Sequence, residues 1–188
     1  YVFVNVLEGQ LIRQTFRMLL LLGGVAAALG VVLYVAPTHL SEAFLVRLGI
    51  VGYPTSGVLR YVEDNPELAL RAIGTSVDPN VFGGMLAILG GLVAPQLFLA
   101  TSRRDKVIVL GITGAIGLAL LLTYSRGSMF GLVVALCLLG LVRHRRIIWL
   151  LLAGLVLVLV LPMTREYVQH FIEGLQGQDL ATQMRFGE

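Results

Sequence analysis

The sequence predicts an all-α protein, a polytopic bundle of about five membrane-spanning helices plus part of another, with short interfacial helices in an outer loop. Three observations carry this prediction. Of 188 residues, 57% are hydrophobic and only 13% charged, with a mean hydropathy of +0.87, well outside the range of soluble globular domains. Apolar runs recur at the length a helix needs to cross a bilayer core, roughly 20 residues for about 30 Å. Basic residues gather in the connections between alternate runs, as expected of a chain oriented by its positive charges.

Taken in order, Tyr1 to Leu7 is too short to span and reads as the end of an earlier helix. The chain starts without an initiator methionine or a signal-peptide pattern, so it reads as an internal piece of a longer protein. Met18 to Ala36, Val81 to Ala100 and Val107 to Tyr124 each supply an uncharged apolar stretch of spanning length. Gly127 to Val142 and Ile147 to Leu161 are shorter and must borrow flanking residues or sit where the bilayer thins. No internal repeat or low-complexity linker interrupts the pattern, so residues 1–188 read as one transmembrane domain.

Orientation follows from the arginines. Arg13 and Arg17, the "SRRDK" stretch at Ser102 to Lys106 and the "RHRR" stretch at Arg143 to Arg146 fall on one side, expected to be cytoplasmic. The loop at 37–79, the short connection around Arg126 and the tail at 163–188 fall on the other. There nine acidic residues outnumber six arginines, as expected of extracytoplasmic segments. The scattering of charge into short loops excludes a nucleic-acid-binding face; membrane lipids with anionic heads are the simpler partners.

Two short helices are expected in the outer loop. "SEAFLVRLG" places Phe44, Leu45 and Leu48 on one helical face, suited to the membrane surface. "NPELALRAIG" carries Asn65 as N-cap, Pro66 at the first helical position, Glu67 at the positive end and Gly74 as a stop, which puts Arg71 in the last turn. Asp78 followed by Pro79 reads as the cap and first residue of the next spanning helix. Glycines within the spans, among them Gly83, Gly84, Gly90, Gly91, Gly111, Gly114 and Gly117, suit close helix packing.

Soluble catalytic signatures are missing: no phosphate-binding loop, no HExxH and no GxSxG elbow occur. Metal ligation is not expected of three dispersed histidines, His39, His144 and His170, or of the single Cys137 within an apolar run. The informative polar residues gather at the outer helix ends. Arg126, in "LLTYSRGSMFGL", is expected to cap the negative end of the helix before it, with Gly127 permitting the reversal. Arg71 lies near the same mouth. Guanidinium forks bind phosphate oxygens bidentately, and a lipid diphosphate presents such oxygens at that depth. Thr75, Ser76, Asn80 and Ser125 add hydrogen-bonding groups.

This order of features resembles the O-antigen ligase and O-antigen polymerase family of bacterial membrane glycosyltransferases. The likeness rests on "RAIGTSVDPNVFGG" followed later by "LLTYSRGSMFGL", set between the basic segments "EGQLIRQTFR" and "RHRR". "TQMRFGE" resembles the start of that family's large outer loop. The resemblance implies a GT-C-like bundle in the bacterial cytoplasmic membrane, a polyprenyl-diphosphate-linked glycan as donor, and arginines that hold the diphosphate without a metal or other cofactor. Carried onto this chain, those arginines are Arg71, Arg126 and Arg185. The acceptor is a lipid-linked core, a growing glycan or a protein, and the histidine that serves the ligase branch is expected beyond Glu188. Other readings are a peptidoglycan polymerase, a transporter or flippase for an anionic lipid, and a non-catalytic structural subunit. Against a proton-coupled transporter, no span carries an acidic residue or histidine.

Overall fold

A computed structural model describes residues 9–142 and 145–160 of the chain. The expectations for Tyr1 to Leu7, for Arg143 and His144, and for the tail with His170 and Arg185 lie outside the described residues. Within them the fold is mostly helical, in the order α1 (Gly9–Val35), α2 (Thr38–Arg47), α3 (Pro79–Val93), α4 (Gln96–Leu99), α5 (Arg103–Leu122), α6 (Arg126–Val142) and α7 (Ile147–Val160). All five apolar runs are helical. Three stretches are long and apolar enough to cross a membrane, Gln14–Val35, Pro79–Leu99 and Arg103–Leu122, while α6 is a shorter apolar helix.

Each boundary has a local cause. α1 runs through leucine and alanine, good helix formers, until Pro37 makes it impossible to continue. The buried Ser41 of α2 then donates its hydroxyl to the carbonyl of Leu33 at 2.6 Å, tying the loop's first helix to α1's last turn. α3 bends into α4 at Pro95. Ser102 caps α5 by accepting from the backbone N–H of Asp105 at 3.0 Å.

α3 is the hub. Its buried residues Pro79, Phe82, Gly83, Leu86, Leu89, Gly90 and Val93 recur at helical spacing on more than one face, so that α1, α5 and α6 all pack on it. Leu89 lies against Gly23 of α1, and Leu132 of α6 against Gly90. Because Gly83 meets Ser125 and Ser128 while Gly90 meets Leu132, α3 and α6 run parallel. In lipid no hydrophobic force drives helices together, so such close approaches supply the packing. For four of the glycines expected to pack closely this is corrected: Gly84, Gly111, Gly114 and Gly117 have open space where a side chain would go.

The segment between α2 and α3 departs most from expectation. α2 forms as anticipated, but it buries Ser41 and Leu45, whereas Phe44 is exposed. No helix forms at residues 65–74. Arg60–Tyr61 (β1) pairs antiparallel with Leu70–Arg71 (β2), Arg60 opposite Arg71 and Tyr61 opposite Leu70. Asn65 accepts from the N–H of Glu67 at 3.0 Å through its side chain, and its own carbonyl accepts from the N–H of Leu68 at 3.0 Å. Asn-Pro serves a turn as readily as a helix start, and a helix this short has little stability of its own. Gly74 adopts φ 55°, but in the loop after β2 rather than at a helix end.

Leu45, Val58 and Ile73 form a small core beneath this loop. The bundle therefore has a loop end, carrying residues 36–78 and the α5–α6 turn, and a basic end, carrying Arg103, Arg104, Lys106, Arg145 and Arg146.

Candidate functional site

The site is built where the loop meets the starts of α3 and α6. Asp78 caps α3 as the sequence predicts: its Oδ1 accepts from the backbone N–H of Asn80 at 2.7 Å and of Val81 at 3.1 Å, with Pro79 at the first helical position. Phe82, 1% exposed, is clamped between two glycines. A methyl group on Gly30 would stand 2.6 Å from its ring and one on Gly74 2.8 Å. Gly74 is thus needed twice, for its left-handed backbone and for this contact.

With the loop pressed onto α3 in this way, Arg71 reaches two elements at once. Its Nε–H donates to the carbonyl of Thr123 at 2.8 Å, 52 residues away in sequence, and its Nη2 donates to Oδ1 of Asn80 at 3.0 Å. The N–H of Ala72 donates to the carbonyl of Leu122 at 2.7 Å. Arg71 thus satisfies a C-terminal carbonyl of α5, and Arg126 is the first residue of α6. The reversal is made by Tyr124, at φ 53°, and Gly127 lies inside the helix. A tyrosine there costs about 1 kcal/mol or more relative to an unstrained backbone; neighbouring hydrogen bonds hold it. Thr123 donates its hydroxyl to the Leu120 carbonyl at 2.7 Å and accepts from the N–H of Ser125 at 3.2 Å.

Two serines close the junction. Ser125 and Ser128 share a hydrogen bond of 2.8 Å, and Ser128 lies 3.5 Å from the Asn80 carbonyl, at the limit of a bond. A side chain at Gly83 would collide with both serines. Among the sequence-predicted residues, the structure thus brings Arg71, Asp78, Asn80 and Ser125 together, with Arg126 at the head of the adjoining helix. Thr75 is exposed. Ser76 takes part through its backbone carbonyl, which accepts from the Tyr53 hydroxyl at 2.8 Å.

Sequence reasoning missed Ser128, Thr123, Tyr53 and Arg60. Ser128, three residues after Ser125, was within reach of a helical-spacing argument. Arg60 was not, because it joins the site only through its register opposite Arg71. Its Nε–H donates to the Val77 carbonyl at 3.4 Å. Burial raises the pKa of the Tyr53 phenol above its ordinary value, and the nearby Arg60 charge partly opposes that rise.

The chain finds no match among protein-family models, curated proteins or solved structures. Its chemistry is therefore read from the site itself. Two parallel helices start side by side, so two positive dipole ends face the same surface. Around this junction, among the described residues, Arg60, Arg71 and Arg126 gather with Asp78. Among the described residues no three His, Cys, Asp or Glu side chains stand together as metal ligands. A cavity of about 310 Å³ lies at the other end of the bundle, lined by Leu97, Phe98, Arg146 and Trp149. Its apolar walls suit hydrocarbon rather than a charged group. The arrangement at the loop end favours an anion with several oxygens.

Proposed function

We propose that the loop end holds the diphosphate of a polyprenyl-linked glycan and that the protein transfers the glycan to an acceptor on the outer face of the bacterial cytoplasmic membrane. The observation that carries this reading is the double anchoring of Arg71, on Thr123 and Asn80, beside the helix that Arg126 opens. A guanidinium held at a fixed angle is prepaid in entropy for binding phosphate oxygens. Apolar helices of spanning length fit a lipid-borne donor, and the likeness to O-antigen ligases and polymerases supplies the reaction.

In that reaction an acceptor hydroxyl oxygen attacks the anomeric carbon, the bond from that carbon to the diphosphate oxygen breaks, and the electron pair leaves with polyprenyl diphosphate. Negative charge grows on the departing oxygen. Arg71 and Arg126 would stabilise it more in the transition state than in the ground state. The acceptor's proton passes to a base, assigned by the family likeness to the large outer loop.

The test is conversion of a polyprenyl-diphosphate-linked glycan by membranes containing the wild-type protein, Arg126→Ala or Arg126→Lys, read as release of polyprenyl diphosphate. Both variants are expected to lose activity about 100-fold, since lysine keeps the charge but not the fork. Full activity in both variants would sink the reading. Tight lipid binding without release in the wild type would favour a flippase for an anionic lipid.

A further inference from the structure

We propose that the cavity at the basic end, between α4 and α7, binds an acidic phospholipid, with an acyl chain along its apolar wall and the headgroup phosphate on Arg146. The cavity of about 310 Å³ is lined, among the described residues, by Leu97 and Phe98 of α4, by Trp149 of α7 and by Arg146 immediately before that helix. Its size falls within the range of small-ligand sites, which begins at about 300 Å³. Two packing features leave the space open. α7 packs on α6, where Ile148 lies against Gly140, and Ala94, Leu136 and Ile147 form a small core with Phe98 packed against it. α4 then ends at Leu99, after four residues, and Trp149 stays 72% exposed.

Two kinds of surface meet in this cavity. Leu97, Phe98 and the Trp149 ring gain from covering by hydrocarbon. Arg146 is exposed beside them, and Arg103, Arg104, Lys106 and Arg145 are exposed at the same end of the bundle. A plain hydrocarbon chain satisfies the walls alone, and a soluble phosphate the arginine alone. A phospholipid with a negative head satisfies both at once. A zwitterionic phospholipid carries its own ammonium group and gains less from Arg146 and its basic neighbours. The depth also fits. Arg103 opens a helix long enough to cross a membrane, so this end lies where hydrocarbon gives way to headgroups, the level that tryptophan and arginine side chains favour. Basic pockets between membrane helices hold acidic headgroups for the same reason.

Trp149 is the chain's single tryptophan, so its fluorescence reads the cavity directly. The experiment reconstitutes the full protein in phosphatidylcholine nanodiscs with rising fractions of either phosphatidylglycerol or phosphatidylcholine brominated on the acyl chains, since bromine quenches tryptophan on contact. Wild type is compared with Arg146→Ala and Arg104→Ala, and a thermal melt of each reports folding. In the wild type, brominated phosphatidylglycerol is expected to reach half-quenching at about a fivefold lower fraction than brominated phosphatidylcholine. Arg146→Ala should abolish that preference, whereas Arg104→Ala, which removes the same charge from the same end, should keep it within about twofold. Equal quenching by the two lipids in the wild type would overturn headgroup selection. Equal loss in both variants would show diffuse attraction to a basic surface in place of a site at Arg146. No quenching by either lipid would mean that a further segment of this chain or a second copy covers Trp149, and the phospholipid site would fall.

Discussion

The two ends of this bundle both carry arginines, yet they use them differently. At the basic end Arg103, Arg104, Arg145 and Arg146 are exposed, and the hydrogen bond from Asp105 to Ser102 closes within three residues of chain. At the loop end Arg71 joins a strand to a helix terminus 52 residues away and to a second helix's first turn. An exposed arginine in water or at a headgroup contributes charge with little direction. An arginine held by two acceptors contributes direction as well. Charge placement alone therefore does not tell a solvated arginine from an anchored one; long-range hydrogen bonds do.

The largest expected effect comes from cutting the loop end's anchor. Arg71→Ala removes a charge-assisted bond from the Thr123 carbonyl and another from Asn80, and should lower thermal stability in detergent by about 2 kcal/mol. Release of polyprenyl diphosphate should fall about 100-fold alongside. Arg146→Ala at the basic end should change stability by less than about 0.5 kcal/mol. Equal losses for the two variants would erase the distinction between the ends.

A matched pair of glycines sharpens it next. At Gly83 a bare Cβ would lie 2.9 Å from the Ser128 hydroxyl and 3.0 Å from Ser125 Cβ, whereas at Gly84 nothing stands within 4 Å. Gly83→Val should destabilise by about 2 kcal/mol by prying α3 from α6. Gly84→Val, one position along the same helix, should be nearly neutral. Unfolding of the two variants side by side measures the difference, and equal melting would show that the α3–α6 contact is not tight.

A smaller effect belongs to the loop's own support. Tyr53→Phe loses the hydroxyl bond to Ser76 and should cost about 1 kcal/mol at neutral pH. Because burial raises the folded-state pKa of this phenol, the unfolded chain ionises first. The wild type's advantage should be complete below the ordinary tyrosine value of about 10 and decline as pH rises past it. The phenylalanine variant should show no such alkaline loss from this position. A pH series of melting temperatures for both proteins checks it.

The spanning helices and the Asp78–Pro79 cap were legible in the sequence because each is decided locally, by hydropathy over a window or by two adjacent residues. The hairpin was not. Asn65, Pro66 and Glu67 suit a helix start and a turn alike, and the choice is made by distant partners, above all the Leu122 carbonyl that takes the Ala72 amide. The same is true of Arg60, whose relation to Arg71 exists only through strand register. Arg126 and Arg71 were both found, but that Arg71 reaches the C-terminal end of α5 from a strand was not. A sequence marks which residues can satisfy a helix terminus without saying which one reaches it.

The mildest substitution bears on where the chain reverses between α5 and α6. Gly127 was the natural choice for the reversal between α5 and α6, since glycine enters the left-handed region freely. The chain turns instead at Tyr124, and Gly127 sits one residue into α6 with open space beside it. Gly127→Ala should then raise stability by about 0.5–1 kcal/mol, the ordinary helix advantage of alanine, and leave transfer intact. A glycine needed for the turn would behave oppositely. Alanine forced to positive φ costs about 1 kcal/mol or more and would displace Arg126 next to it. The sign of one melting shift therefore decides whether Arg126 is aimed by a flexible turn or by a strained tyrosine and a rigid helix start.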